Sequence, residues 1–336
     1  MLNQVLITFT VGPNALTLSS YDDAKKADIV RSLARAWIKV GLLVSHRTVH
    51  GACAIAEQAS LLPQHLRKEW TTLLGDAEKK SRIVVSPISI QTDDPTEVVA
   101  LVKDYVELLF VDQEAAESYG IPTGQSSRLD APSRVEICRF DCNPSSRVML
   151  QALDAYTGTV PKGVETALVW ECLLLPFAQR NRKLTVVDRY AIKNSSGFFR
   201  LLDELNRLNE DQYVVLFSSA LGSEPDEVSK AIRAYLKTLK GGSLSEVVIY
   251  LVQDFLFLRE AHYRYIQFGN DCCFLCDTGL ELLEGKNVFR SVPYKFSPID
   301  VVMVSCEGKF RQSHTTKKLT FTRGQGLPTR ATTVGG

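Results

Sequence analysis

The 336 residues predict an α/β protein of two α/β domains. Three observations point there. Short apolar runs that read as strands alternate with amphipathic runs that read as helices, the pattern of sheets covered by helices. The length exceeds that of one average domain. A Gly/Pro/Ser-rich stretch, Gly120 to Ser133, divides the pattern in two.

In the first part, Val5–Thr10 is a strand, and Tyr21–Val40 is a helix with Ile29, Leu33, Ala36, Trp37 and Val40 on its apolar side. The Ser-Ser-Tyr-Asp-Asp start can cap it. Val49–Ser60 and Gln64–Leu74 read as helices on either side of Leu-Leu-Pro. Arg82–Ser86 is a strand, Pro95–Tyr105 a helix, Val106–Val111 a strand and Gln113–Tyr119 a short helix. Residues 1–120 therefore form the first domain and 121–133 the linker. The second domain spans 134–306, and 307–336 is expected to be a basic flexible tail.

Beyond the linker, Arg134–Phe140 is a strand and Ser145–Ala155 a helix. Thr157–Gly163 is a turn-rich break, and Val164–Arg180 is a long apolar helix bent at its end by Pro176. Then strand, helix, strand, helix and strand follow at Lys183–Asp188, Phe198–Leu208, Tyr213–Ser218, Glu227–Leu239 and Glu246–Val252. Ala261–Phe268, the Cys272 stretch, Ser291–Phe296 and Asp300–Cys306 read as further strands.

Composition describes an ordinary soluble globular chain, 45% hydrophobic and 23% charged. The formal charge of +1 gives no global pull toward nucleic acid or anionic membrane. From Lys286 onward, however, nine Lys/Arg face only Asp300 and Glu307, a local net of +7. Such an end is a phosphate-contacting arm or a solvated tail. No transmembrane helix is expected, and the start of the sequence does not read as a signal peptide. The eight cysteines read as reduced thiols of a cytoplasmic protein. No cofactor is expected, for there is neither a P-loop nor a dinucleotide fingerprint.

His46 and His50 could share a helix face as metal ligands, yet no third ligand is evident. His65 sits among charged neighbours and His314 in the basic tail. Cys273 and Cys276 have zinc-hook spacing without a second hook, and in a strand they point to opposite faces. Asp188, His262 and Arg264 remain, all at or near the ends of apolar strands, where α/β sheets bind ligands. His262 and Arg264 are two apart and share a strand face. A histidine beside a guanidinium suits a phosphate. The alternative is a structural arginine paired to Asp188, Glu260 or Asp277.

The order Leu184-Thr-Val-Val-Asp188-Arg-Tyr190, helix, strand, His262-Tyr-Arg264, then Thr278-Gly279-Leu280-Glu281 resembles the phospholipase-D-like domains at the C-terminus of MIT-domain proteins and their bacterial relatives. The resemblance covers about residues 164–300. It implies a mixed sheet flanked by helices, a site of His262, Arg264 and Asp188, and phosphate contacts from Arg264 and its neighbour Tyr190; the basic segment that starts at Lys286 is expected to add a further phosphate contact. Active members carry His-x-Lys-x4-Asp twice; here Arg264 replaces the lysine and Gly269 stands at the acid's position. The resemblance therefore implies a nucleic-acid- or phosphate-binding component with a degenerate site, in a bacterial anti-phage or mobile-element defence system with a partner protein. The alternatives are a homodimeric, metal-independent phosphodiesterase or nuclease using His262 from both chains, and a protein-interaction subunit with a vestigial site. Residues 1–120 more faintly resemble PIN-like nucleases. Their first strand lacks the metal-holding aspartate, and Asp112 and Glu114 alone would not hold Mg²⁺.

Overall fold

A computed structural model describes residues 2–16, 18, 20–47, 54–90, 92, 94–219, 222, 224–239, 242–260, 264–322 and 329–333. The chain forms two compact α/β units, Asn3–Tyr156 and Thr157–Gly336, the latter joined by Met1–Leu2.

In the first unit the elements are β1 (Ile7–Val11), α1 (Asp23–Val40), β2 (Gly41–Arg47), α2 (Ala54–Ser60), α3 (Gln64–Lys79), β3 (Ile83–Ser89), α4 (Pro95–Val102), β4 (Leu108–Val111), β5 (Ser127–Asp130), β6 (Val135–Arg139) and α5 (Arg147–Asp154). The sheet order is β3-β2-β1-β4-β6-β5. All pairings are parallel except the β5–β6 hairpin. α1 starts where the Asp22 carboxylate accepts the Lys25 N–H. Its buried Val30, Leu33, Trp37 and Val40 recur at helical spacing. One apolar cluster joins these to Phe9, Trp70, Phe110 and Phe140. A second, around Val98, Val102, Leu109 and Ile137, fills in beneath α4.

This arrangement corrects the expected domain boundary. Residues 127–130 are a strand of the first sheet, and β6 and α5 belong to the first unit as well. The turn chemistry of 120–133 marks a hairpin within a domain rather than a linker. Gln113–Tyr119 forms turns instead of a helix, and β2, unanticipated, follows α1 directly.

The second unit comprises β7 (Thr157–Val160), α6 (Thr166–Val169), a π-helical turn (Trp170–Leu174), α7 (Leu175–Ala178), β8 (Lys183–Val187), α8 (Ser195–Asn206), β9 (Gln212–Ser219), α9 (Pro225–Leu236), β10 (Leu244–Val252), α10 (Asp254–Glu260), β11 (Tyr265–Phe268) and β12 (Cys272–Cys276). A 3-10 turn (Gly279–Leu283), β13 (Val292–Ser297), α11 (Val301–Gln312), β14 (Lys317–Thr322) and β15 (Thr329–Thr333) complete it. The sheet runs β15-β14-β10-β9-β8-β11-β12-β13-β7. Its centre, β8-β9-β10, is parallel and the flanking pairings are antiparallel. The π turn sits just before Pro176, whose missing N–H removes one helical bond.

Two further expectations are corrected here. Asp300–Cys306 belongs to a helix, not a strand: the Asp300 carboxylate caps it by accepting the Met303 N–H, and Met303, Cys306 and Phe310 are buried at helical spacing. A β-branched run misleads when tertiary packing supplies the cap and the apolar face. The segment from 307 is not wholly a tail either. Lys317–Thr322 pairs with β10 along Glu246–Leu251, with Leu319 and Phe321 buried. Among the described residues no helix is long and apolar enough to cross a membrane.

Candidate functional site

The second unit brings Asp188, Tyr190 and Arg264 together at the C-terminal ends of its parallel strands. β8 is buried from Leu184 to Val187, and its main chain continues to Asp188, whose N–H donates to Phe217 of β9 at 3.0 Å. β11 returns beside β8, pairing Tyr265 with Val187. Arg264 is thereby set next to Asp188, although 76 positions separate them in sequence.

The Asp188 side chain is 2% exposed. Its Oδ1 accepts the Tyr190 N–H at 3.0 Å and its Oδ2 the Leu280 N–H at 2.7 Å. The carboxylate thus holds its own turn and the start of the 3-10 turn Gly279–Leu283. Burial pushes its pKa above the ordinary 3.8, and the two N–H bonds and Arg264 oppose that shift only in part.

Arg264 is differently engaged. Its Nε lies 3.9 Å from Asp188 Oδ1 and one terminal nitrogen 3.8 Å from Glu281 Oε1, both longer than direct hydrogen bonds. Its guanidinium carbon lies 4.6 Å from the Tyr190 ring centroid, a cation–π contact. The side chain is 24% exposed. Stacking therefore fixes the plane while leaving donors available.

The sequence reading did not single out Arg189 and Asp254. Arg189 donates to both Asp254 oxygens at 2.7 Å, and its guanidinium carbon is 5.1 Å from the Tyr190 ring. Ser219 Oγ adds a bond to Asp254 Oδ1 at 3.0 Å. The Arg189 bond holds the Asp254 carboxyl below its usual range, and the same bond raises Arg189. The available signal was positional: Arg189 follows β8 and Asp254 follows β10, both at carboxyl ends of parallel strands.

The space enclosed by Asp188, Arg264, Tyr265, Cys276, Gly279 and Leu280 is about 10 Å³. A water alone needs roughly 10–15 Å³, so a phosphate can reach Arg264 only from its solvent side. Lys286 is exposed, is not part of this lining, and offers its carbonyl to the Thr166 N–H at 2.9 Å. His262 lies outside the described residues, as does His50.

Elsewhere, His46 is the penultimate residue of β2, 6% exposed, with Nδ1 3.5 Å from Thr10 Oγ1; burial lowers its pKa. His65 and His314 are exposed. Cys273 and Cys276 are buried in β12, and burial raises both thiols, Cys273 to about 12. Asp112 Oδ1 accepts the Glu114 N–H at 3.1 Å.

A pH consequence follows from Asp188. Its pKa is raised on folding, so protonation favours the folded form. The favourable contribution is complete below the unfolded value and is lost as pH rises through the raised folded value. Asp188→Asn removes this titration. Urea unfolding of both proteins from about pH 3.5 to 6.5 is expected to show wild type losing stability relative to the variant as pH rises. Parallel curves would exclude a raised carboxyl.

No protein-family model matches this chain, and no curated protein matches it at a significant level.

Proposed function

We propose that the protein is a nucleic-acid-binding component whose second unit contacts a backbone phosphate through Arg264 without cleaving it. The observation that carries this reading is the state of the Arg264 guanidinium. It is stacked on Tyr190 at a strand-end crevice, about a quarter exposed, with both carboxylates beyond hydrogen-bond distance. Asp188, the partner a catalytic reading would use, has both oxygens on backbone N–H groups. A setting in defence against phage or mobile DNA is supported by the phospholipase-D-like resemblance alone.

The test is anisotropy of labelled single- and double-stranded DNA and RNA with the full chain, with and without EDTA. Binding is expected to fall steeply with salt. Arg264→Ala is expected to weaken it roughly 10- to 100-fold, the loss of a charged hydrogen bond. Absence of binding to every polyanion at low salt would sink the reading. Cleavage that survives EDTA and disappears in His262→Ala would replace it with the phosphodiesterase.

One observation favours a second reading, a protein-interaction subunit. Val301, Val302 and Val304 on α11 are 84%, 60% and 57% exposed, and Phe255 and Leu258 on the contacting α10 are 61% and 56% exposed. Clustered exposed apolar side chains mark interfaces. Stable co-purification of a partner, lost in Val301→Asp/Val304→Asp and joined to a failure of polyanion binding, would establish it.

A further inference from the structure

The first unit carries a cleft that the phosphate contact proposed for Arg264 does not involve. α4 and the β5–β6 hairpin enclose a cleft of about 410 Å³. That volume lies in the range of small-molecule sites, roughly 300–1,000 Å³. The apolar walls are Pro95, Val99, Ala100, Pro132 and Ile137. Two cations, Lys103 and Arg128, and one acid, Asp130, stand among the polar lining residues, for a local charge of +1 (two minus one).

The charged groups are not equivalent. Asp130 is already satisfied. Its Oδ1 accepts from an Arg128 terminal nitrogen at 3.0 Å, and its Oδ2 accepts the Ser133 hydroxyl at 2.6 Å and the Ser133 N–H at 3.2 Å. Those Ser133 bonds hold its carboxyl below the usual range despite some burial. Arg128 is held but incompletely bonded: its Nε is buried and has no hydrogen-bond partner among the described residues. Its guanidinium lies flat over Gly120, which adopts φ +71°; a Cβ there would stand 3.2 Å from Nε and Cζ. Only glycine takes that backbone conformation without strain and leaves the guanidinium its place. Lys103 is exposed and forms no ion pair among the described residues. The cleft is therefore lined by an Arg128–Asp130 ion pair and by Lys103, unpaired among the described residues, which leaves it with one net positive charge.

We propose that this cleft binds a small organic anion, a single carboxylate or phosphomonoester on an apolar body. Arg128 and Lys103 take the anionic head, and Val99, Ala100, Pro132 and Ile137 cover the body. An inorganic anion alone leaves those walls wet, and an apolar molecule alone leaves Lys103 without a counter-charge, since Arg128 is already paired with Asp130. A divalent cation is disfavoured, because Asp130 is the only carboxylate lining the cleft among the described residues.

The experiment is calorimetric titration and thermal melting of the full chain with four probes: phenyl phosphate, benzoate, inorganic phosphate and benzyl alcohol. Phenyl phosphate or benzoate is expected to bind at one per chain, and whichever is tighter identifies the head as phosphoryl or carboxyl. Inorganic phosphate and benzyl alcohol are expected to bind at least about tenfold more weakly. Lys103→Ala and Ala100→Phe both change exposed positions. Each is expected to weaken binding about tenfold or more while oligonucleotide binding stays at the parent level. Arg128→Lys, which keeps the charge but loses the planar fork, is expected to weaken it as well. No heat and no melting shift with either aryl anion at about 10 mM would overturn the proposal. So would undiminished binding by a folded Ala100→Phe. Oligonucleotide anisotropy separates a failure here from a failure at Arg264, since the two sites lie in different units.

Discussion

Gly279→Ala is expected to lower the stability of the second unit by roughly 3–5 kcal/mol. Two costs combine. Gly279 adopts φ +56°, and the left-handed conformation costs an L-residue about 1–2 kcal/mol. An added Cβ would also stand 2.2 Å from Asp188 Oδ2 and 2.9 Å from Arg264 Cδ. Asp188 has no room to retreat, being 2% exposed and bonded at both oxygens. Displacing it breaks two backbone bonds, each worth about 1–1.5 kcal/mol net. It also dislodges the arginine proposed to meet phosphate. Chemical unfolding followed by Trp170, the lone tryptophan of that unit, is the measurement; Trp37 and Trp70 report on the other unit. A midpoint within about 0.3 M urea of wild type would mean that the turn relaxes freely and that Asp188 is not anchored as described.

Glu136→Ala is expected to cost the first unit about 3–4 kcal/mol, the deletion of a buried acceptor that serves several donors. Glu136 is 2% exposed. Its Oε1 accepts from Ser127 Oγ at 2.8 Å and the Arg147 N–H at 2.9 Å, and its Oε2 from Ser146 Oγ and the Val148 N–H, both at 2.8 Å. The same carboxylate thus ties the β5–β6 hairpin to the first turn of α5 and offers negative charge to that helix's N-terminus. Truncation leaves four donors without their acceptor, the Ser146 hydroxyl fully buried and the other three partly so. Hydrogen exchange should show α5 and β5 losing protection together, with β1 and β2 less affected. Loss confined to α5 would mean that the hairpin stands without this tie. Glu136→Gln, which keeps one acceptor oxygen, is expected to recover part of the stability.

Both residues mark where sequence reasoning stopped. The alternation of strands and helices from Lys183 to Val252 was legible because each strand is a compact apolar run and each helix has a period near 3.6. The pairing of Asp188 with Arg264 was legible as position, since both lie where an apolar strand meets polar residues. The domain boundary was not. Gly120, Pro122, Gly124 and Pro132 signal turns, and a hairpin inside a domain uses the same turn residues as a linker between domains. α11 was missed because Val301, Val302 and Val304 favour strands by propensity, whereas the Asp300 cap and the burial of Met303, Cys306 and Phe310 decide for helix.

By itself, then, the sequence determined the α/β class, most of the strand–helix order and the polar residues waiting at strand ends, because these depend on short-range periodicity. Tertiary structure alone decided what those residues do. The Asp188 carboxylate meets a backbone N–H that is 92 positions away, and Glu136 meets donors from two different elements. No local pattern encodes such partners. They are set by the route the chain takes to bury its sheets, and that route makes Asp188 an internal cap while leaving Arg264 at the surface on Tyr190.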